Sequence, residues 1–435
     1  MTSKLVLLPL TAKINNKGHL AIGGCDAVEL AAEFGTPLYV FDEAGIRHQC
    51  TEFRREFGSR YENTSVFYSA KAFINKALAQ LLNEQGLGLD VVSGGEISIA
   101  RAANFPMDRV GFPGNNKSAE ELRLALECGV GRIVVDNLHE LAMLNEIAAE
   151  RGDSPDILLR LSPGVDPHTH SYIITGNLDS KFGVPMAQAE AALTAALAMP
   201  RLRLRGLHCH IGSQIAEFEP FQQAINILLG FAAGMKSKHG FEMEEISIGG
   251  GFAVQYELDS PVPPIADYAE ALTANITIGS RTLGLDQPRL IIEPGRAIVA
   301  RSGVALYTVG VVKDIPGIRR YVAVDGGMAD NIRPALYGAR HEVAAASKMK
   351  AEETEKVTIA GRFCESGDII SKDVMLPPLK SGDILAVADC GAYCLPLASN
   401  YNAALKPAIV MVKEGRARLI RRRETFEDLT RLDLP

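Results

Sequence analysis

The feature that most constrains how this chain folds is a repeat of texture rather than of letters. Between residues 65 and 296, eight short β-branched runs recur: Ser65–Ala70, Gly88–Ser93, Val110–Pro113, Arg132–Asp136, Asp156–Leu161, Leu204–Ile211, Glu245–Gly249 and Arg289–Glu293. Helix-length patterns lie between them at Asn75–Gln85, Ser118–Cys128, Leu138–Glu150, Met186–Ala198, Pro220–Lys238 and Ile265–Ala274. Ser118 followed by Glu121 has the spacing of a capping box. Strands alternating with such helices build parallel βαβ units. Eight of them in roughly 230 residues match a (β/α)8 barrel, typically about 250 residues. An open, doubly wound sheet has the same strand count and stays as the alternative.

The expected fold class is therefore α/β, with a (β/α)8 TIM-type barrel followed by a C-terminal β-rich sandwich or barrel domain. After Arg296 strand-like runs (Val304–Val312, Arg320–Val324, Lys356–Ala360, Asp383–Ala388, Ala408–Val412, Ala417–Ile420) are separated by Gly, Pro and Asp turns. The boundaries read as an N-terminal segment, 1–36, joining the β domain. The barrel is 37–284, with its eighth strand at 289–296, and the β domain is 297–435. Gln255–Pro264 is the most linker-like stretch.

Charge and cysteine usage exclude several classes. Forty-five Lys+Arg against 52 Asp+Glu leave a net charge of −7, and the densest basic run, Arg421–Arg423, is followed at once by Glu424. A broad nucleic-acid or anionic-membrane surface is disfavoured. No apolar stretch approaches the roughly 20 residues that span a bilayer. The seven cysteines lack CxxC spacing, which argues against a disulfide framework. The expectation is a soluble, cytoplasmic protein with no nucleic-acid or membrane partner.

In a (β/α)8 barrel, side chains that act in catalysis sit at the C-terminal strand ends, and the unusual tripeptides of this chain fall there. Strand one ends in Ser69-Ala70-Lys71, strand six carries His208-Cys209-His210 and Gly212-Ser213-Gln214, strand seven ends in Gly249-Gly250-Gly251, and strand eight in Glu293-Pro294-Gly295-Arg296. The glycine triplet is a tight turn whose bare N–H groups also suit a phosphate, and the loops after strands seven and eight are the recurrent phosphate site of the fold. Lys71, partly desolvated at the barrel mouth, is suited to a Schiff base. Lysine, glycine turn and the Glu293 carboxylate together match what pyridoxal 5′-phosphate requires. A competing reading uses His208 and His210 with His168 and His170 as ligands of a divalent metal in a hydrolase.

Several motifs in combination carry a resemblance: Phe67–Ala72 (FYSAKA), Asp90–Glu96 (DVVSGGE), Ser180–Gly183 (SKFG), His208–Gln214 (HCHIGSQ), Glu293–Arg296 (EPGR), Arg333–Gly338 (RPALYG) and Cys364–Asp368 (CESGD). Over nearly its full length the chain resembles the fold-type III pyridoxal-phosphate decarboxylases, and among them the branch that acts on diaminopimelate. The resemblance implies decarboxylation of meso-2,6-diaminopimelate to L-lysine. It implies that Lys71 bonds the cofactor aldehyde and that His210 stacks on the ring. Ser213, Gly250, Gly251 and the Glu293–Arg296 turn, Gly295 included, would hold the phosphate side, with Glu293 on the pyridine nitrogen. It further implies Arg296, Arg333 and Tyr337 on the distal carboxylate, Glu365 on the distal ammonium, Tyr393 on cofactor and substrate, and Cys364 as proton donor. Cys364 and Glu365 would come from the partner subunit of a homodimer with shared active sites, and no metal is implied. Pro113 stands where the family usually has His, Cys394 replaces a small residue, and an arginine usual near Leu405 is missing. Within the same chemistry the alternative substrate is another amino acid, free or attached to a carrier protein; a non-catalytic regulatory homologue is a further class.

Overall fold

The structure is a computed structural model that describes residues 3–166 and 180–434. By internal contacts the chain divides into two units, one made of Gln49–Ala253 and Val262–Gly295, the other of Met1–His48, Val254–Pro261 and Arg296–Pro435.

The first unit is the barrel. Its eight parallel strands are Thr64–Ser69, Gly88–Asp90, Val110–Phe112, Arg132–Val135, Asp156–Ser162, Arg203–His208, Glu245–Ser247 and Arg289–Ile292. Each pairs with the next, and the ladder closes because the eighth pairs with the first, Ile292 opposite Val66. Closure decides against the open sheet. The capping box forms as the spacing predicts: Glu121 N–H donates to Ser118 Oγ, and Ser118 N–H to Glu121 Oε2, each at 3.2 Å. Such a cap contributes about 1 kcal/mol to its helix.

One apolar cluster of this unit bears directly on the site. Phe252, immediately after the glycine triplet, stacks on Phe221 at 5.6 Å between centroids and meets Phe53 and Tyr268 edge-on at 5.2 and 5.3 Å. Ile215 N–H donates to Gly251 O at 2.9 Å, and Tyr268 Oη–H to Ile215 O at 2.6 Å. The turns after strands six and seven are thereby lashed to each other and anchored in the core.

In the second unit the long strand Gly303–Ile315 pairs with Arg319–Val324, Ile384–Val387 and Leu38–Asp42. Leu38–Asp42 also runs parallel to Ala408–Lys413. Here the structure differs from the expected boundary at residue 37. Leu38–Asp42 is buried at every position, the pattern of a central strand, and it is claimed by this sheet rather than by the barrel. Residues before it form a separate three-stranded antiparallel sheet, Lys13–Ile14, Leu20–Ile22 and Cys25–Asp26. Val343–Ala345 and Ile369–Leu376 also escape the sequence reading, the second because Ser371-Lys372-Asp373 within it reads as a turn.

Replacing Phe252, 3% exposed, by Ala should destabilise the fold by about 3–5 kcal/mol, read as a lower midpoint in denaturant unfolding. An unchanged midpoint would contradict the anchoring role.

Candidate active site

At the C-terminal ends of the barrel strands, the first and eighth meet with no space to spare. A Cβ on Gly295 would lie 2.9 Å from Ser69 Cβ and 3.2 Å from Ala72 Cβ. Ser69 Oγ lies 2.9 Å from Asp90 Oδ2 and 3.1 Å from Glu293 O. The turn Ala70–Ala72, which carries Lys71, therefore sits beside the chain end that carries Glu293. Ala70 and Ala72 are buried, but Lys71 itself is exposed, which corrects the expectation of a partly desolvated amine. Its charge still bears on Asp90, Glu96 and His210.

Glu293 is 7% exposed. Ser247 Oγ–H donates to its Oε1 at 2.7 Å, and His208 Nε2 lies 3.1 Å from the same oxygen. Burial pushes its pKa up, but His208, the Ser247 hydroxyl and the Arg160 charge outweigh burial and bring it below the ordinary carboxylate range. Asp90, also buried, goes the other way: burial first and the neighbouring Glu293 charge second drive its pKa well above that range. Two carboxyls in one mouth are thus pushed apart, the pattern by which sites keep one ionised.

His210 is held from the glycine turn. Gly250 N–H donates to its Nδ1 at 3.2 Å, so in the neutral ring the proton sits on Nε2. Burial, then the Lys71 and Arg160 charges, lower its pKa well below the usual histidine value. A Cβ on Gly249 would stand 2.7 Å from His210 Nδ1, so glycine is required for this approach. The second histidine pair, His168 and His170, lies outside the described residues. Among those described, His208 faces Glu293, and no group of three or more His, Cys, Asp or Glu side chains is arranged to hold a metal.

Sequence reasoning missed Arg160, although its signal is plain: one arginine within the apolar run Asp156–Leu161. It is 6% exposed, lies 4.6 Å over the Phe182 ring and 3.8 Å from Asp136 Oδ1. Gly183 N–H donates to Asp136 Oδ2 at 2.9 Å, so the Ser180–Gly183 motif serves to seat this cation. Asp90 and Ser247 were not assigned roles either.

The second unit gathers another group. Arg296 Nη1–H donates to Tyr256 Oη at 2.8 Å and lies 4.7 Å over the Tyr393 ring. Arg333 is 6% exposed and lies 5.0 Å over Tyr256; Tyr337 shares its short helix, Arg333–Tyr337. Tyr256 sits in the stretch read as a linker. Cys364 and Glu365 are exposed on a loop organised around buried Asp368, which accepts from Met328 N and Phe363 N at 2.7 and 2.8 Å. Among the described residues, neither contacts the arginine group of its own chain. Asp389 is fully buried with no partner for either oxygen among the described residues, and burial lifts its pKa to about 8 against the pull of Arg301 and Arg333.

Comparison with known proteins is decisive at this point. Residues 43–300 match the family model for the pyridoxal-binding domain of pyridoxal-dependent decarboxylases. The diaminopimelate decarboxylase of Bacillus subtilis is 47% identical over 427 residues, covering 98% of this chain and 97% of that protein. This chain belongs to the diaminopimelate decarboxylase family. Among solved structures, the family member from M. jannaschii in co-complex with L-lysine is 37% identical with a TM-score of 0.92, covering 98% of both chains. The Helicobacter pylori member complexed with L-lysine is 33% identical with a TM-score of 0.86, covering 93% of this chain and 98% of that one.

The donor set fits the family's cofactor. A buried carboxylate held ionised suits a pyridine nitrogen, a neutral imidazole suits a flat ring, and an exposed lysine two residues from a packed strand end suits an aldehyde. The paired turns after strands six and seven suit a phosphate.

The Asp389 value yields a pH test. Its folded pKa lies above the ordinary 3.8, so the folded chain holds the proton more tightly. That favours the fold at low pH, and the contribution fades as pH rises toward about 8. Asp389→Asn should therefore gain melting temperature relative to the parent between about pH 5 and pH 8. A difference that stays constant with pH would contradict the assignment.

Proposed function

We propose that this chain is a pyridoxal-phosphate-dependent carboxy-lyase that converts meso-2,6-diaminopimelate to L-lysine and CO2, the last step of lysine biosynthesis. The observation that carries the substrate assignment is the guanidinium pair, Arg296 and buried Arg333, set on the faces of Tyr256 and Tyr393. Planar forks of this kind suit a carboxylate through bidentate contacts, and a diaminopimelate keeps a second carboxylate remote from the one it loses. A simple diamine precursor would give these arginines nothing to bind.

In this reading Lys71 would hold the cofactor through its aldehyde, Glu293 would keep the pyridine nitrogen protonated, and His210 would pack on the ring. Ser213, Gly250, Gly251, Gly295 and Arg296 serve the phosphate side, and Tyr393 touches cofactor and substrate. When bound, pyridoxal phosphate supplies an electron sink for the pair left on carbon as CO2 departs. Arg296, Arg333 and Tyr337 fix the distal carboxylate and Glu365 the distal ammonium, which together orient the substrate for loss of the other carboxylate. Cys364 Sγ delivers the proton to that carbon.

The exposed position of Cys364 and Glu365 supports a homodimer in which this loop serves the site of the partner subunit. No helix among the described residues is long and apolar enough to cross a membrane, and we place the enzyme in the cytoplasm.

Substrate choice is tested by CO2 release from meso-diaminopimelate alongside lysine, ornithine, arginine and a carrier-bound glutamate; release only from one of the latter would overturn the assignment. Lys71→Ala should lose the visible absorption of covalently held cofactor together with turnover, and a variant that keeps this absorption would refute the role of Lys71. Cys364→Ala should keep the absorption while kcat falls by about 10²-fold or more. A loss of affinity alone would remove Cys364 as proton donor.

A further inference from the structure

Arg333 is a buried cation, 6% exposed. Among the described residues no carboxylate lies within salt-bridge distance of it; its nearest ring nitrogen belongs to His341, with Nη1 3.3 Å from Nε2. His341 is 3% exposed, and its Nδ1 lies 2.8 Å from Ala388 O. A carbonyl only accepts and a guanidinium only donates. Both contacts are satisfied by one form of the ring: neutral, with the proton on Nδ1 and the Nε2 lone pair toward Arg333. Burial, and then the Arg333 charge, lower its pKa to about 3, in keeping with that form.

The ring is fixed by the sheet. Val343–Ala345 pairs antiparallel with Ile384–Val387, and Ala388 N–H donates to Glu342 O at 2.9 Å, which continues the ladder to the residue beside His341. Tyr256 meets the imidazole edge-on at 5.9 Å between centroids. It also offers its face to Arg333 and its hydroxyl oxygen to Arg296 Nη1 at 2.8 Å. His341 and Tyr256 thus connect the two guanidiniums to one rigid ladder.

We propose that His341 is a positioning residue for recognition of the substrate's distal carboxylate, a hydrogen-bond acceptor that orients the Arg333 fork without neutralising it, while the Tyr256 hydroxyl helps to aim Arg296. A carboxylate in the place of His341 would orient the fork equally well but would compete with the substrate for its charge. An apolar residue would leave the fork free to rotate, and presetting a planar donor is what gives bidentate recognition its strength. The inference rests on the proposed diaminopimelate reading and goes beyond it by naming what aims the arginines.

The test uses the cofactor-loaded enzyme and the variants His341→Leu, His341→Gln and Tyr256→Phe. It compares meso-diaminopimelate as substrate with two inhibitors: L-lysine, which keeps the distal carboxylate, and 1,5-diaminopentane, which lacks it. His341→Leu should raise KM for diaminopimelate and the inhibition constant of L-lysine together, by about 10- to 100-fold. It should leave kcat within about threefold of the parent and inhibition by 1,5-diaminopentane unchanged. Gln, which retains an acceptor, should recover most of the loss. Tyr256→Phe should reproduce the same split, and carries the test if His341→Leu does not fold. Equal weakening of both inhibitors, or a fall in kcat with KM unchanged, would show a merely structural role and overturn the proposal. Failure of the parent enzyme to act on diaminopimelate would instead overturn the functional reading, a result read from the unmutated chain alone.

Discussion

A negative charge buried at the mouth of a closed barrel is the constraint around which the first unit is organised. Left alone in that environment, the Glu293 carboxyl would take up a proton, because burial disfavours the charged form. Ser247 from strand seven, His208 from strand six and the Arg160 charge from strand five reverse that tendency. Each of those strands must reach its correct register for the charge to survive. Closure of the ladder also sets strand one beside strand eight, where Ser69 Oγ lies 3.1 Å from Glu293 O.

The second unit solves a complementary problem. It keeps positive charge available rather than negative charge alive. Arg333 rests on an aromatic face and a neutral acceptor, contacts that hold a guanidinium without cancelling it, and Arg296 lies over Tyr393 and donates to Tyr256. The departure at Cys394 falls in this neighbourhood: Cys394 is fully buried, and beside Arg333 and Cys390 its thiol pKa is lowered even though burial pushes it up.

Much of this was legible in the sequence because it depends on local pattern. All eight barrel strands fall on short apolar runs that alternate with helix-length segments, and the capping box at Ser118 is a four-residue signal. What escaped depends on long-range choice. Leu38–Asp42 falls inside the segment expected to be barrel, and only the pairing available on Gly303–Ile315 and Ala408–Lys413 assigns it to the other sheet. Tyr256 hides in a Pro- and Asp-rich stretch because the residues around it are turn formers, whereas its role is set by arginines 40 and 77 positions away. The apolar neighbours of Lys71 read as a desolvated setting, yet Lys71 is exposed while Ala70 and Ala72 beside it are buried. Arg160 was readable and was passed over, a charged residue in an apolar strand being a functional signal in its own right.

The account turns on Glu293 as an ionised partner for the cofactor's ring nitrogen. Its most direct test is Glu293→Gln, which preserves shape and hydrogen bonding while removing the charge. The visible absorption of covalently bound cofactor should persist while kcat on meso-diaminopimelate falls by about 10²-fold or more. A variant that retains both absorption and turnover would show that the buried charge is not what drives the chemistry.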